Sequence, residues 1–174
     1  MFPEDLIRTA ETLLATLRAR KLMLATAESC TGGLIAGVLT EVAGSSHVVD
    51  RGFVTYSNEA KTELIGVPSE MIAAHGAVSK EVALAMAAGA LAHSRADIAV
   101  AVTGVAGPGG GSAEKPVGLV HLAAKRRGKP PIHRECRFGD IGRHQVRMAT
   151  VAVAFELVDA LARAGENESQ FKPS

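Results

Sequence analysis

The sequence predicts a three-layer α/β/α sandwich with a mixed, mostly parallel five-stranded sheet, and three observations point there. Apolar runs of strand length alternate with stretches of helical periodicity along the first half of the chain. The run Asp97-Ile98-Ala99-Val100-Ala101-Val102 is apolar without interruption after its first residue, as expected of a strand covered on both faces. Two later apolar runs, 117–124 and 131–138, flank the basic turn Lys125-Arg126-Arg127-Gly128-Lys129-Pro130, which predicts an antiparallel hairpin.

Each element has its own signal. Leu6, Ile7, Ala10, Leu13, Leu14 and Leu17 recur at helical spacing and predict a helix over 4–20. A strand over 22–27 follows, then a turn, then a helix over 31–42 that ends near Gly44. Val48, Val49, Phe53, Val54 and Tyr56 mark a second strand, 48–56. Ser57 is placed to cap a short helix reaching Leu64, with Glu59 in its first turn. Gly66-Val67-Pro68 breaks that helix, and another short one covers 69–74. Ser79 opens a long alanine-rich helix to His93, whose small side chains allow close packing on a sheet. After the buried strand and the hairpin, Gly139 to Gly142 lead into a last helix, 142–164. The organisation predicted is a single domain over 1–165 and a polar tail, 166–174.

Composition excludes several function classes. Aromatic residues are 3% of the 174, with no Trp, so the core is built of Ala, Val, Leu and Ile and there is no base-stacking platform. A formal net charge of +1 gives no field to steer nucleic acid or to hold an anionic membrane. No uncharged apolar run reaches the length of a membrane span, and the acidic start, Glu4-Asp5, predicts no signal peptide. Cys30 and Cys136 form neither a metal pattern nor a disulfide framework, which predicts a reduced, cytoplasmic protein.

The chemistry concentrates at the turn Ser29-Cys30-Thr31-Gly32-Gly33, between a strand and a helix. Such a turn offers backbone N–H groups and the positive end of a helix dipole to a phosphate or an oxyanion. It carries two hydroxyls and a thiol, and its glycines clear a ligand's approach. A second turn, Thr103 to Ser112, is a glycine-rich loop of a length seldom seen without a function. It fits neither the phosphate-loop nor the dinucleotide pattern, since no Lys follows at the required spacing and Ser112 stands where a last glycine belongs. If the strands before these two turns are parallel neighbours, Ser29 and Thr103 lie side by side.

Ser29 and Cys30 are both candidate nucleophiles, the thiol with a pKa lowered by the helix terminus. None of the six histidines sits in a triad context. A buried lysine can serve as base instead, and Lys61 follows the second strand, although by spacing alone it reads as a solvated helix residue. Arg143 and Arg147 share a helical face near the start of the last helix, placed to clamp a phosphate, with Arg134 and Arg137 close by in sequence.

Three tracts, Ala27-Glu28-Ser29-Cys30-Thr31-Gly32-Gly33, Arg51 to Lys61 (RGFVTYSNEAK) and Thr103 to Gly110 (TGVAGPGG), closely resemble the CinA C-terminal domain family, the nicotinamide mononucleotide deamidases. The resemblance runs from the first helix to Arg147. It implies hydrolysis of the carboxamide of nicotinamide mononucleotide to nicotinate mononucleotide and ammonia, a three-layer fold with a mixed sheet, no metal or other cofactor, and assembly as a homo-oligomer. It makes Ser29 the nucleophile, Lys61 its base, and Thr103 and Tyr56 polar partners in the same pocket. Cys30, Thr31, Gly32, Gly33, Gly104, Arg143 and Arg147 complete the expected substrate-binding set. The tract Gly142-Arg143-His144 departs from the family's arginine-rich wording. The alternatives are a regulatory module that binds a pyridine nucleotide without turnover, and an amidase for another small amide.

Overall fold

A computed structural model of the chain describes residues 2–164. The predicted polar tail, 166–174, lies outside the described residues. In chain order the elements are α1 (Glu4–Ala19), β1 (Leu24–Glu28), α2 (Leu34–Glu41), a 3-10 turn (Ser45–His47), β2 (Val49–Val54), α3 (Asn58–Ile65), α4 (Ser69–His75), α5 (Lys80–Ala92), β3 (Ile98–Gly104), β4 (Leu119–Arg126), β5 (Ile132–Arg137) and α6 (Arg143–Arg163).

The five strands form one sheet in the order β2-β1-β3-β4-β5. β1 runs parallel to β2 and to β3, while β4 is antiparallel to both β3 and β5. Only β4 is reversed, so the sheet is mixed and mostly parallel, with α1, α2 and α6 on one face and α3, α4 and α5 on the other.

The two faces are built differently, and the strands alternate to make them so. Leu24, Ile98, Val100, Val102, Val120 and Leu122 point toward α6 and its neighbours. Ala25, Ala27, Ala99, Ala101 and Ala123 form a shallow floor beneath α5. Small side chains on both surfaces let α5 come close. At Gly89 a side chain is excluded altogether, because a Cβ there would stand 1.9 Å from the Ile65 carbonyl oxygen.

Several boundaries differ from the sequence reading, and some of the differences have a local cause. β1 begins at Leu24 rather than 22, because Leu22 N–H closes α1 by donating to Leu17 O, with Lys21 in the left-handed region at φ 55°. α2 begins at Leu34 rather than 31, for a reason that belongs to the site below. The 3-10 turn at Ser45–His47 was not predicted, and its last bond, Val48 N–H to Ser45 O, carries the chain into β2.

Candidate active site

The alanine floor ends in polar residues where the parallel strands stop. Ala25 and Ala27 are followed two positions on by Ser29, and Ala99 and Ala101 by Thr103. Across the antiparallel pair Thr103 stands opposite His121. Ser29 N–H donates to Val102 O at 3.0 Å, which docks the end of β1 onto β3. The two turns singled out in the sequence therefore meet at one edge of the sheet.

Lys61 completes the group. It lies in the first half of α3, which Ser57 starts by accepting a hydrogen bond from Ala60 N–H at 3.0 Å. Its side chain turns inward and is 1% exposed, where spacing alone reads a solvated residue. The ammonium donates to Ser29 Oγ at 3.1 Å, to Thr55 O at 2.8 Å, to Ser57 O at 3.3 Å and to Tyr56 O at 3.4 Å. Burial holds its pKa below the usual lysine value of 10.5, against the opposing pull of Cys30 and Glu59. A neutral amine suits the same geometry, with two N–H groups on carbonyls and its lone pair facing the Ser29 hydroxyl.

Cys30 differs from the reading of a low-pKa thiol. Consecutive residues leave the turn in opposite directions, and the thiol packs among the residues beneath α6. Burial pushes it up to about 12, opposite to the lowered value expected from the helix terminus. Thr31 is likewise fully buried, and its hydroxyl has no partner. Gly32 and Gly33 hold φ of 59° and 98°, so the turn's shape requires glycine. Gly104 leaves no room for a side chain, since a Cβ there would meet Leu119 O at 2.8 Å and Val120 Cγ2 at 2.7 Å.

The free helix terminus expected at this turn is not free. Glu28 is 1% exposed, and its carboxylate accepts from Gly33 N–H and Ile35 N–H at 3.0 Å, from Ala36 N–H at 2.9 Å and from Thr26 Oγ at 3.1 Å. An internal anion thus occupies the positive end of α2 and delays its first residue to Leu34. The signal was in the sequence, in a carboxylate just before a serine-glycine turn, but a cap from the preceding strand has no fixed spacing.

The remaining residues divide. Thr103 Oγ donates to Ala77 O at 2.8 Å and pins the segment before α5, with no bond to Ser29 or Lys61. Tyr56 is 61% exposed, and its hydroxyl accepts from Arg143 Nη2 at 3.2 Å. Arg143 Nη1 donates to Gly107 O at 2.9 Å, so this side chain bridges the end of β2, the glycine loop and α6. Arg147 donates through Nε to Cys30 O at 3.1 Å and through Nη2 to Thr31 O at 2.9 Å. Arg134 and Arg137 pair with Glu156 and Glu135 and stand apart from the site. A cavity of about 380 Å³ between α3 and α4 is lined by Asn58, Thr62, Ser69 and neighbours, and neither Ser29 nor Lys61 borders it. Among the described residues no cluster of three or more His, Cys, Asp or Glu has the geometry to hold a metal ion, and no helix is long and apolar enough to cross a membrane.

Comparison with known proteins matches residues 7–162 to the model of the CinA C-terminal domain. A nicotinamide-nucleotide amidohydrolase, PncC, of Escherichia coli K12 is 51% identical over 157 residues, covering 90% of this chain and 94% of that protein. A CinA-like protein of Citrifermentans bemidjiense is 50% identical over 156 residues, which are 90% of this chain and 37% of that longer protein. Among solved structures, the competence/damage inducible protein CihA of Agrobacterium tumefaciens superposes with a TM-score of 0.92 at 59% identity, over 94% of this chain and 99% of that one.

Proposed function

Because the chain belongs to the CinA C-terminal domain family, we propose that it is an amidase that hydrolyses the carboxamide of nicotinamide mononucleotide to nicotinate mononucleotide and ammonia. The observation that carries the reading is the buried ammonium of Lys61 at 3.1 Å from the Ser29 hydroxyl.

The steps follow from that pair. Neutral Lys61 takes the Ser29 proton as Oγ bonds to the amide carbon, giving a tetrahedral oxyanion. Collapse breaks the C–N bond, Lys61 returns the proton to the leaving nitrogen, and ammonia departs. Water then attacks the ester, Lys61 accepting its proton; the C–Oγ bond breaks as Lys61 returns that proton to Oγ, which frees the carboxylic acid and restores both Ser29 and neutral Lys61. No cofactor enters these steps. In this reading Arg143 and the glycine loop from Val105 hold the ribose phosphate, supported by the guanidinium's bonds to that loop and to Tyr56. Arg147, engaged by two backbone carbonyls, is left out of that role.

The test is ammonia release from nicotinamide mononucleotide by the wild type and by Ser29→Ala. The variant is expected to lose turnover by roughly 10³-fold or more while still binding the nucleotide. Undiminished turnover in Ser29→Ala overturns the assignment, and binding without turnover by the wild type favours a regulatory module.

A further inference from the structure

We propose that Glu28 and Arg147 are positioning residues that fix the turn after Ser29, leaving the N–H groups of Cys30 and Thr31 as the oxyanion site. This rests on the amidase reading given above.

From Ser29 to Gly37 nearly every N–H is committed. Ser29 donates to Val102 O, Gly32 to Ser29 O, Leu34 to Thr31 O and Gly37 to Gly33 O. Gly33, Ile35 and Ala36 donate to the Glu28 carboxylate. Only the amides of Cys30 and Thr31 have no carbonyl, carboxylate or hydroxyl acceptor among the described residues. They are the two that directly follow the proposed nucleophile; the Cys30 amide meets only its own weakly accepting thiol, and donors so poorly matched beside a half-buried site call for a better acceptor. Donors aimed at the developing oxyanion, rather than at the ground-state carbonyl, are what lower a barrier.

Two tethers set their direction. In a trans peptide the C=O and the next N–H point to opposite sides. Arg147 draws Cys30 O toward α6, so Thr31 N–H is turned away from α6. It holds Thr31 O as well, at 2.9 Å. On the other flank Glu28 anchors the amides of the first turn of α2, so the peptide planes cannot rotate in concert. The carboxylate also occupies the end of α2 that would otherwise draw an anion. The substrate's phosphate is thereby kept from the place where its amide must lie.

Glu28→Gln tests the idea, because an amide replaces one acceptor oxygen with a donor that faces backbone N–H groups. Turnover of nicotinamide mononucleotide is compared with that of thionicotinamide mononucleotide, whose sulfur is a poorer hydrogen-bond acceptor. For the wild type the carboxamide is expected to be preferred. In Glu28→Gln, kcat is expected to fall by about 10²–10³-fold with KM within a few-fold, and the preference to collapse toward one. If Glu28→Gln does not fold, Arg147→Met releases the other tether and the same collapse is expected. A fall in kcat with the oxygen-over-sulfur preference intact overturns the proposal, as does a rise in KM alone. A wild type that releases no ammonia defeats the amidase reading instead, so the two failures are told apart.

Discussion

At the scale of single residues, Lys61 joins two conflicting demands. Four acceptors within 3.4 Å favour its charged form, and burial disfavours it. For a base the neutral form is the working one, so kcat/KM is expected to rise with pH through an inflection below 10.5, read from a pH–rate profile. Lys61→Met should lower turnover by about 10²–10⁴-fold, the range of a general base. It also removes a charge that folding must desolvate, so its melting temperature should match or exceed that of the wild type. A large loss of melting temperature would mean that the ammonium is chiefly structural. Lys61 also shows where reading the sequence stops. Its spacing along α3 is that of many solvated lysines, and its burial is decided by β1, which has no local link to it.

Among the elements, what was legible is what local chemistry dictates. Ser57 and Ser79 begin α3 and α5 by accepting from the Ala60 and Val82 amides, as their positions predict. The uninterrupted apolar run at 98–102 is buried throughout. The two turns that meet at the sheet edge were legible as soon as β1 and β3 were taken as parallel neighbours. What was not legible depends on side chains reaching between elements. The Glu28 carboxylate reaches the next helix, and the Arg147 guanidinium reaches back across 117 residues to Cys30 O. Arg126 and Arg127 read simply as a basic turn. In the structure Arg126 donates to Leu161 O and Ala162 O at the end of α6, and Arg127 to Leu91 O in the last turn of α5 and to Ser94 O just past it. One hairpin thus caps a helix on each face of the sheet. The tightest packing lies between α5 and the end of α3. Gly89→Ala would force a Cβ into the Ile65 carbonyl. Overpacking of this kind costs about 1–3 kcal/mol, or roughly 2–12 °C of melting temperature for a chain of this size. An unchanged melting temperature would show that α5 can slide away from α3 freely.

For the whole molecule, buried titrating groups set the pH range over which the fold is most stable. His121 and His133 meet Nδ1 to Nε2 at 3.1 Å, their rings stacked with centroids 5.3 Å apart. Burial lowers both from 6.5, aided by Lys115 and Arg137 at His121 and by His121 itself and Lys80 at His133, while Glu135 and Glu81 oppose. Below about 6.5 the unfolded chain therefore binds more protons than the folded one, and stability falls as acid is added. At the alkaline end Cys30 keeps its proton up to about 12, whereas the unfolded thiol releases it near 9.0, so stability falls as pH rises past 9.0. Cys136, also raised by burial, acts in the same direction. Lys61 has the opposite sign, since its folded value lies below 10.5 and stability rises with pH up to there. It offsets the thiols between 9.0 and 10.5, and above 10.5 they act alone. Denaturant unfolding measured across pH should show stability falling below about 6.5 and again at high pH, the alkaline fall held back by Lys61 up to 10.5 and steepest above it. His133→Gln should shrink the acid-side fall, because one imidazole no longer has to stay neutral beside another. Cys30→Ala should shrink the fall above 10.5 and leave the acid side as it is. An acid-side fall of wild-type size in His133→Gln would place its origin in the carboxylates rather than in the ring pair.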